Sequence, residues 1–98
     1  MIPITKIKYK NRTIKVTFEN IEDFAVYSHE DKKLTFRKNL SSKFFLKTLF
    51  HELFHIIIAT NEFSVSKHGE EKVAALTEEY YTILKQNPKL KKIILNLI

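Results

Sequence analysis

The N-terminal part of the chain alternates between apolar and polar positions in a period of two, the pattern of β-strands that bury one face. Ile7 and Tyr9 alternate with lysines, and the same alternation continues after a polar turn. Two further segments, 24–27 and 34–37, are also typical of strands and are joined by a polar connection. The pattern therefore predicts a small, mostly antiparallel β-sheet over residues 1–38.

Beyond the predicted sheet, apolar residues recur three and four positions apart, which indicates helices. Segment 41–60 begins with two serines that are suitable N-caps, and it is apolar almost all round, which predicts a central buried helix. Segments 70–86 and 88–98 each have one apolar face, and the Asn-Pro pair between them is typical of one helix ending and another beginning. We expect a single domain of the α+β class, residues 1–98, with the sheet first and three helices after it.

One narrow polar stripe interrupts the apolar surface of the central helix. It consists of four residues spaced three and four apart on one side of the helix, namely Thr48, His51, Glu52 and His55. Polar groups inside a protein cost several kcal/mol when they lack partners. The stripe therefore requires partners, either in the protein or in a ligand.

Three residues of the stripe, His51, Glu52 and His55, form the pattern HExxH. Two histidines at i and i+4 lie one helical turn apart, so both imidazoles can reach one tetrahedral ion. Glu52 is displaced by about 100° around the helix from His51. It can take a proton from water activated by the metal and pass it to the leaving amine. The pattern predicts one Zn2+ ion held by both histidines, with Glu52 as the catalytic residue. The alternative is a pair of core histidines satisfied by hydrogen bonds.

A catalytic zinc ion usually has three protein ligands and one water. The extended pattern with a third histidine six residues after His55 is absent, because Asn61 occupies that position. The candidates are His68, Glu70 and Glu71. Helical phase favours Glu70, which lies on the packed side of its helix. Both glutamates are also well placed to interact with the helix dipole, which is an alternative reason for their position.

The composition limits the metal site and the partners. The chain has no cysteine, so a metal must be held by histidine and carboxylate. The net charge of +6 can attract nucleic acid, but no nucleic-acid motif accompanies the lysines, and we do not expect such a partner. The chain begins with lysines among isoleucines, unlike a signal peptide, and has no apolar run of about 20 residues. We therefore expect a cytoplasmic protein without a membrane span.

The sequence resembles the minigluzincins and related small phage-encoded zinc peptidases. The resemblance covers most of the chain and includes the strand pair within 27–36, the run 48–55 and the helix opening at 70–76. It implies a zinc-dependent metallopeptidase that acts on peptide or protein substrates. It also implies that the third ligand is a glutamate on the following helix, which matches Glu70. The strand at 34–37 would line the cleft and pair with an extended substrate.

The sequence departs from the gluzincin pattern behind the metal ligands. Ala74 stands four residues after Glu70, where many gluzincins have an aspartate that orients a histidine ligand. No residue is a clear stabiliser of the oxyanion, and four are possible: His29, His68, Tyr80 and Tyr81.

The C-terminal segment 88–98 has two interpretations. Its apolar face is typical of a terminal helix packed on the core. Minigluzincins are described as latent, with a terminal segment in the cleft, so the resemblance also implies that this segment inhibits activity. We expect a metallopeptidase that is zymogenic if the second interpretation holds. The alternative function is a non-catalytic, metal-stabilised binding or regulatory module.

Overall fold

The structure is a computed structural model that describes the backbone of residues 4–61 and 70–97 and the side chains of 4–61 and 75–97. It consists of four strands followed by three helices: β1 (Lys6–Tyr9), β2 (Arg12–Glu19), β3 (Ala25–Ser28), β4 (Lys33–Arg37), α1 (Ser42–Asn61), α2 (Glu70–Gln86) and α3 (Pro88–Leu97). The predicted α+β class and the order of sheet and helices are confirmed.

The strands form one sheet in the order β1-β2-β4-β3. The outer pairs β1–β2 and β3–β4 are antiparallel, whereas the central pair β2–β4 is parallel. The prediction of a mostly antiparallel sheet is therefore confirmed, with a parallel pair at its centre.

The position of β4 overturns one expectation drawn from the resemblance. Residues 34–37 all pair with β2, and Leu34, Thr35 and Phe36 also pair with β3. A strand that is hydrogen-bonded on both sides has no free edge for a peptide. The expectation that 34–37 pairs with a substrate is therefore wrong, and the edge strand on that side of the sheet is β3.

One face of the sheet packs against the helices, as the period-two pattern predicts. The buried strand residues are Ile7, Tyr9, Ile14, Val16, Leu34 and Phe36. They contact the apolar faces of all three helices in one core. Among the described residues, no helix meets both the length and the hydropathy required of a membrane-spanning segment.

Helix α1 begins at the predicted cap but is less buried than expected. The hydroxyl of Ser41 accepts a hydrogen bond from the backbone N–H of Phe44 at 3.3 Å. The side chains of Phe44 and Phe50 are 51% and 41% exposed. The expectation of a helix buried almost all round is therefore wrong, because the small sheet and the described helices cover only part of its circumference.

Asn87 joins the two C-terminal helices to the edge of the sheet. Its carbonyl accepts the Lys91 N–H at 3.1 Å, as expected of a residue that starts a helix. Its side-chain amide instead accepts the Lys8 N–H at 2.8 Å and donates to the Lys8 carbonyl at 2.7 Å. The amide thus satisfies backbone groups that the edge strand β1 would otherwise leave unpaired.

Candidate metal centre

The two histidines of the HExxH pattern lie side by side on the exposed side of α1. Their Nε2 atoms are 3.0 Å apart, and their ring centroids are 4.6 Å apart with an interplanar angle of 77°. Two nitrogens that each lie about 2.0–2.1 Å from a tetrahedral ion are separated by about 3.3 Å. The two rings are therefore within hydrogen-bonding distance of each other, and their separation is also close to that of two imidazole ligands of one zinc ion.

The third ligand predicted from the sequence is not tested by this geometry. His68 lies outside the described residues. Glu70 and Glu71 are in the first turn of α2, where the sequence predicts a helix start, but their side chains lie outside the described part of the structure. Among the described residues, no three His, Asp or Glu side chains are grouped closely enough to hold an ion. The structure thus brings the rings of His51 and His55 together, and the role of Glu70 as third ligand stays a prediction.

Glu52 is only 7% exposed, although His51 and His55 on the same helix are exposed. Burial raises the pKa of Glu52, and the positive charge that His55 and His51 can carry partly opposes this rise. A carboxylate with a raised pKa exchanges protons more readily near neutral pH than an exposed one. Its placement suits proton transfer rather than metal ligation.

Glu52 lies at the wall of a pocket of about 410 Å³ between α1 and the end of β3. The pocket is lined by Tyr27, His29, Glu52, His55, Ile58 and Ala59. It therefore brings together a buried carboxylate, a candidate metal ligand and two further polar side chains. No described residue of α3 lines it, and Leu90 and Ile94 of that helix are buried in the core.

Asn61 has a structural role at the position where the extended HExxH pattern has a third histidine. Its Nδ2 donates to the hydroxyl of Tyr9 at 2.6 Å and to the carbonyl of Ile57 at 2.9 Å. The Tyr9 hydroxyl in turn donates to the carboxylate of Glu79 on α2. This network fixes the end of α1 and the middle of α2 to the sheet, so Asn61 is not available as a ligand.

The structure distinguishes the described candidates for the oxyanion stabiliser. The Tyr80 hydroxyl donates to the carbonyl of Phe50 at 3.1 Å, and Tyr81 is 63% exposed on the surface. Neither tyrosine lines the pocket beside Glu52, whereas His29 does. Tyr27, which also lines it, was not a candidate from sequence. Its inward position in β3 follows from the period-two pattern, but the approach of β3 to α1 does not.

No family model matches the chain, and no curated protein or solved structure is significantly similar to it. The minigluzincin resemblance therefore rests on the motifs and their spacing.

Proposed function

We propose that this protein is a zinc-dependent metallopeptidase that hydrolyses peptide bonds. The observation that supports this most directly is the 3.0 Å separation of the Nε2 atoms of His51 and His55 beside the buried carboxylate of Glu52. A bound metal would stabilise a chain of 98 residues, because metal binding to the folded state contributes to folding free energy. We also propose a cytoplasmic location, in keeping with a chain that has no cysteine.

In this proposal His51, His55 and Glu70 hold the metal. Zinc supplies a Lewis acid that lowers the pKa of water and polarises the scissile carbonyl. The neutral imidazoles are matched to zinc by their chemistry, and a carboxylate completes a common set of catalytic ligands. Glu70 is supported by the start of α2 at this residue and by the resemblance to gluzincins.

Glu52 acts as the general base and then as the general acid. It removes a proton from the attacking water and delivers that proton to the nitrogen of the leaving amine. The burial that raises its pKa brings this carboxyl closer to the range in which both steps are efficient at neutral pH.

The substrate lies along β3 in this proposal. Among the described strands, β3 pairs only with β4, so its outer edge offers backbone groups to an extended peptide. Tyr27 near the end of β3 and Glu52 of α1 line the same pocket, so a peptide on this edge passes close to the proposed base. The edge strand β3 takes the role that the resemblance gave to 34–37.

Zinc content and peptide cleavage, measured on the same preparations, test the proposal. Wild type is expected to bind one zinc ion per chain and to cleave members of a quenched-fluorescent peptide library. Glu52→Gln should keep the zinc and lose cleavage by about 100-fold or more, the usual contribution of general acid–base catalysis. His51→Ala and His55→Ala should lose the zinc.

Two outcomes would count against it. If wild type binds zinc but cleaves no peptide that Glu52→Gln leaves intact, the protein is a metal-stabilised binding or regulatory module and not an enzyme. Glu70→Gln and Glu71→Gln form a matched pair for the third ligand. Weaker zinc binding in Glu71→Gln alone would transfer the ligand role from Glu70 to Glu71.

A further inference from the structure

The pocket beside Glu52 has a second polar wall that the HExxH motif does not explain. Tyr27 at the end of β3 and His29 just after it line the pocket together with Glu52 and His55 of α1. Both residues are partly buried. A group bound in this pocket therefore has the catalytic helix on one side and His29 on another.

The ring of His29 is held by Tyr27. The Tyr27 hydroxyl lies 2.8 Å from Nδ1 of His29, and the rings meet edge to face at 5.8 Å between centroids. With Nδ1 engaged in this hydrogen bond, Nε2 is the ring nitrogen left to interact with a ligand. Which nitrogen carries the proton depends on whether the hydroxyl donates or accepts.

Arg12 of β2 holds the backbone beside the His29 ring and lies close to Tyr27. Its guanidinium donates to the backbone carbonyl of His29 and also lies beside Tyr27. Burial raises the pKa of Tyr27, and Arg12 opposes this rise by its charge and by a hydrogen bond. The positive charge of Arg12 beside Tyr27 makes the Tyr27 hydroxyl a stronger donor, which favours donation of its proton to Nδ1 of His29 at 2.8 Å. The proton of the neutral imidazole is then on Nε2.

We propose that His29 is a catalytic residue that donates a hydrogen bond from Nε2 to the scissile carbonyl oxygen as that oxygen becomes negative. Tyr27 and Arg12 are positioning residues that fix the ring and its tautomer. As water attacks the carbonyl carbon, the π electron pair of the carbonyl moves to oxygen, and a fixed donor stabilises that charge without reorganisation. This inference rests on the proposed peptidase function.

The tautomer is tested first, on the metal-free protein, with 15N-labelled histidine and NMR. The signals of His29 are identified by their loss in His29→Gln. We expect neutral His29 to be protonated almost completely at Nε2 in wild type. Tyr27→Phe should lower this population towards that of a free histidine side chain, which favours Nε2–H less strongly. Tyr81→Phe is the matched control, because its hydroxyl is removed from an exposed site and should change nothing. A wild-type ring protonated at Nδ1 would overturn the inference.

Kinetics test the catalytic role, with the peptide that wild type cleaves best. His29→Ala should lower kcat by about 100-fold, as the loss of one oxyanion donor does in other enzymes, with little change in KM or zinc content. His29→Gln retains an N–H donor near the position of Nε2 and should recover part of the loss. A residue that only stabilises the turn would not produce this rescue.

The two proposals fail differently. If wild type with zinc cleaves peptides and His29→Ala does so within about threefold of the wild-type rate, only the role of His29 is wrong. If wild type cleaves no peptide that Glu52→Gln leaves intact, the peptidase proposal is wrong. The catalytic role of His29 is then wrong as well.

Discussion

Side chains of β1, of the turn after it and of the end of α1 hold α2 in place. The hydroxyl of the fully buried Tyr9 donates to Glu79, and Lys10 forms an ion pair with the same carboxylate at 3.0 Å. Together with Asn61, these residues connect β1, the end of α1 and the middle of α2. The placement of α2, whose first residue is Glu70, therefore depends on one buried hydroxyl and its partners.

Glu79 should make stability depend on acid pH. The hydrogen bond from Tyr9, and then Lys10, lower the pKa of Glu79 below its ordinary 4.5. A carboxyl with a lowered pKa in the folded state stabilises the protein above the unfolded pKa, and this contribution is lost as pH falls through the folded pKa. Wild type should therefore lose stability more steeply than Glu79→Gln as pH falls below about 4.5. Midpoints of urea unfolding across this range provide the measurement, and parallel curves would contradict the prediction.

At the scale of the elements, the register of the sheet brings three lysines together. Lys6 pairs with Lys15 and Lys15 pairs with Lys33, all on the face that no described helix covers. Lys33 has an ion pair with Glu19 at 3.5 Å, whereas no described carboxylate pairs with Lys6 or Lys15. Like charges directly opposite each other destabilise a sheet. The central position of Lys15 makes it the site at which the repulsion can be relieved.

Lys15→Glu should therefore stabilise the protein by about 0.5–1 kcal/mol at low salt, because one carboxylate replaces a repulsive charge with two attractive contacts. Lys15→Thr is the matched control, which removes the charge but keeps a good strand residue, and it should give a smaller gain. Urea unfolding at low and at high salt measures both. A gain for Lys15→Glu that does not shrink with salt would show that its cause is not electrostatic.

The sequence predicted the strands and helices better than their arrangement. Alternation identifies the buried face of each strand, but it is the same whether β2 lies next to β3 or next to β4. The choice depends on long-range packing. Phe18 and Phe36 of the parallel strands stack on each other, and both rings contact Phe45 of α1. The resemblance implies a substrate-pairing strand at 34–37, whereas this packing places β4 in the interior of the sheet.

At the scale of the whole molecule, some residues of the candidate site are placed by local spacing and others by the long-range arrangement of the elements. His51, Glu52 and His55 are placed by the period of one helix, so their geometry follows from spacing alone. Tyr27 and His29 reach the pocket only because β3 lies at the edge of the sheet beside α1. No local pattern contains that information. The HExxH motif can therefore be identified from the sequence, whereas the side chains that face it are identified only from the fold.

The C-terminal helix α3 has two possible roles, which are to stabilise the core or to inhibit the proposed activity. Leu90 and Ile94 of α3 are 1% and 7% exposed, and burying a large aliphatic side chain contributes about 1.5–3 kcal/mol. The whole stability of a small domain is about 5–15 kcal/mol, so a chain that ends at Asn87 should lose cooperative thermal unfolding. Circular dichroism and peptide cleavage of that chain provide the measurement.

Point variants of the full chain give the matched control for that deletion. Leu90→Ala should cost about 2–4 kcal/mol because it leaves a cavity in the core. Leu95→Ala, at a side chain that is 64% exposed, should change stability by less than about 0.5 kcal/mol. The inhibitory interpretation of residues 88–98 predicts the opposite for the deletion, namely a folded chain that cleaves peptides faster than full length. That result would show that α3 covers the active site in solution, although none of its described residues lines the pocket beside Glu52.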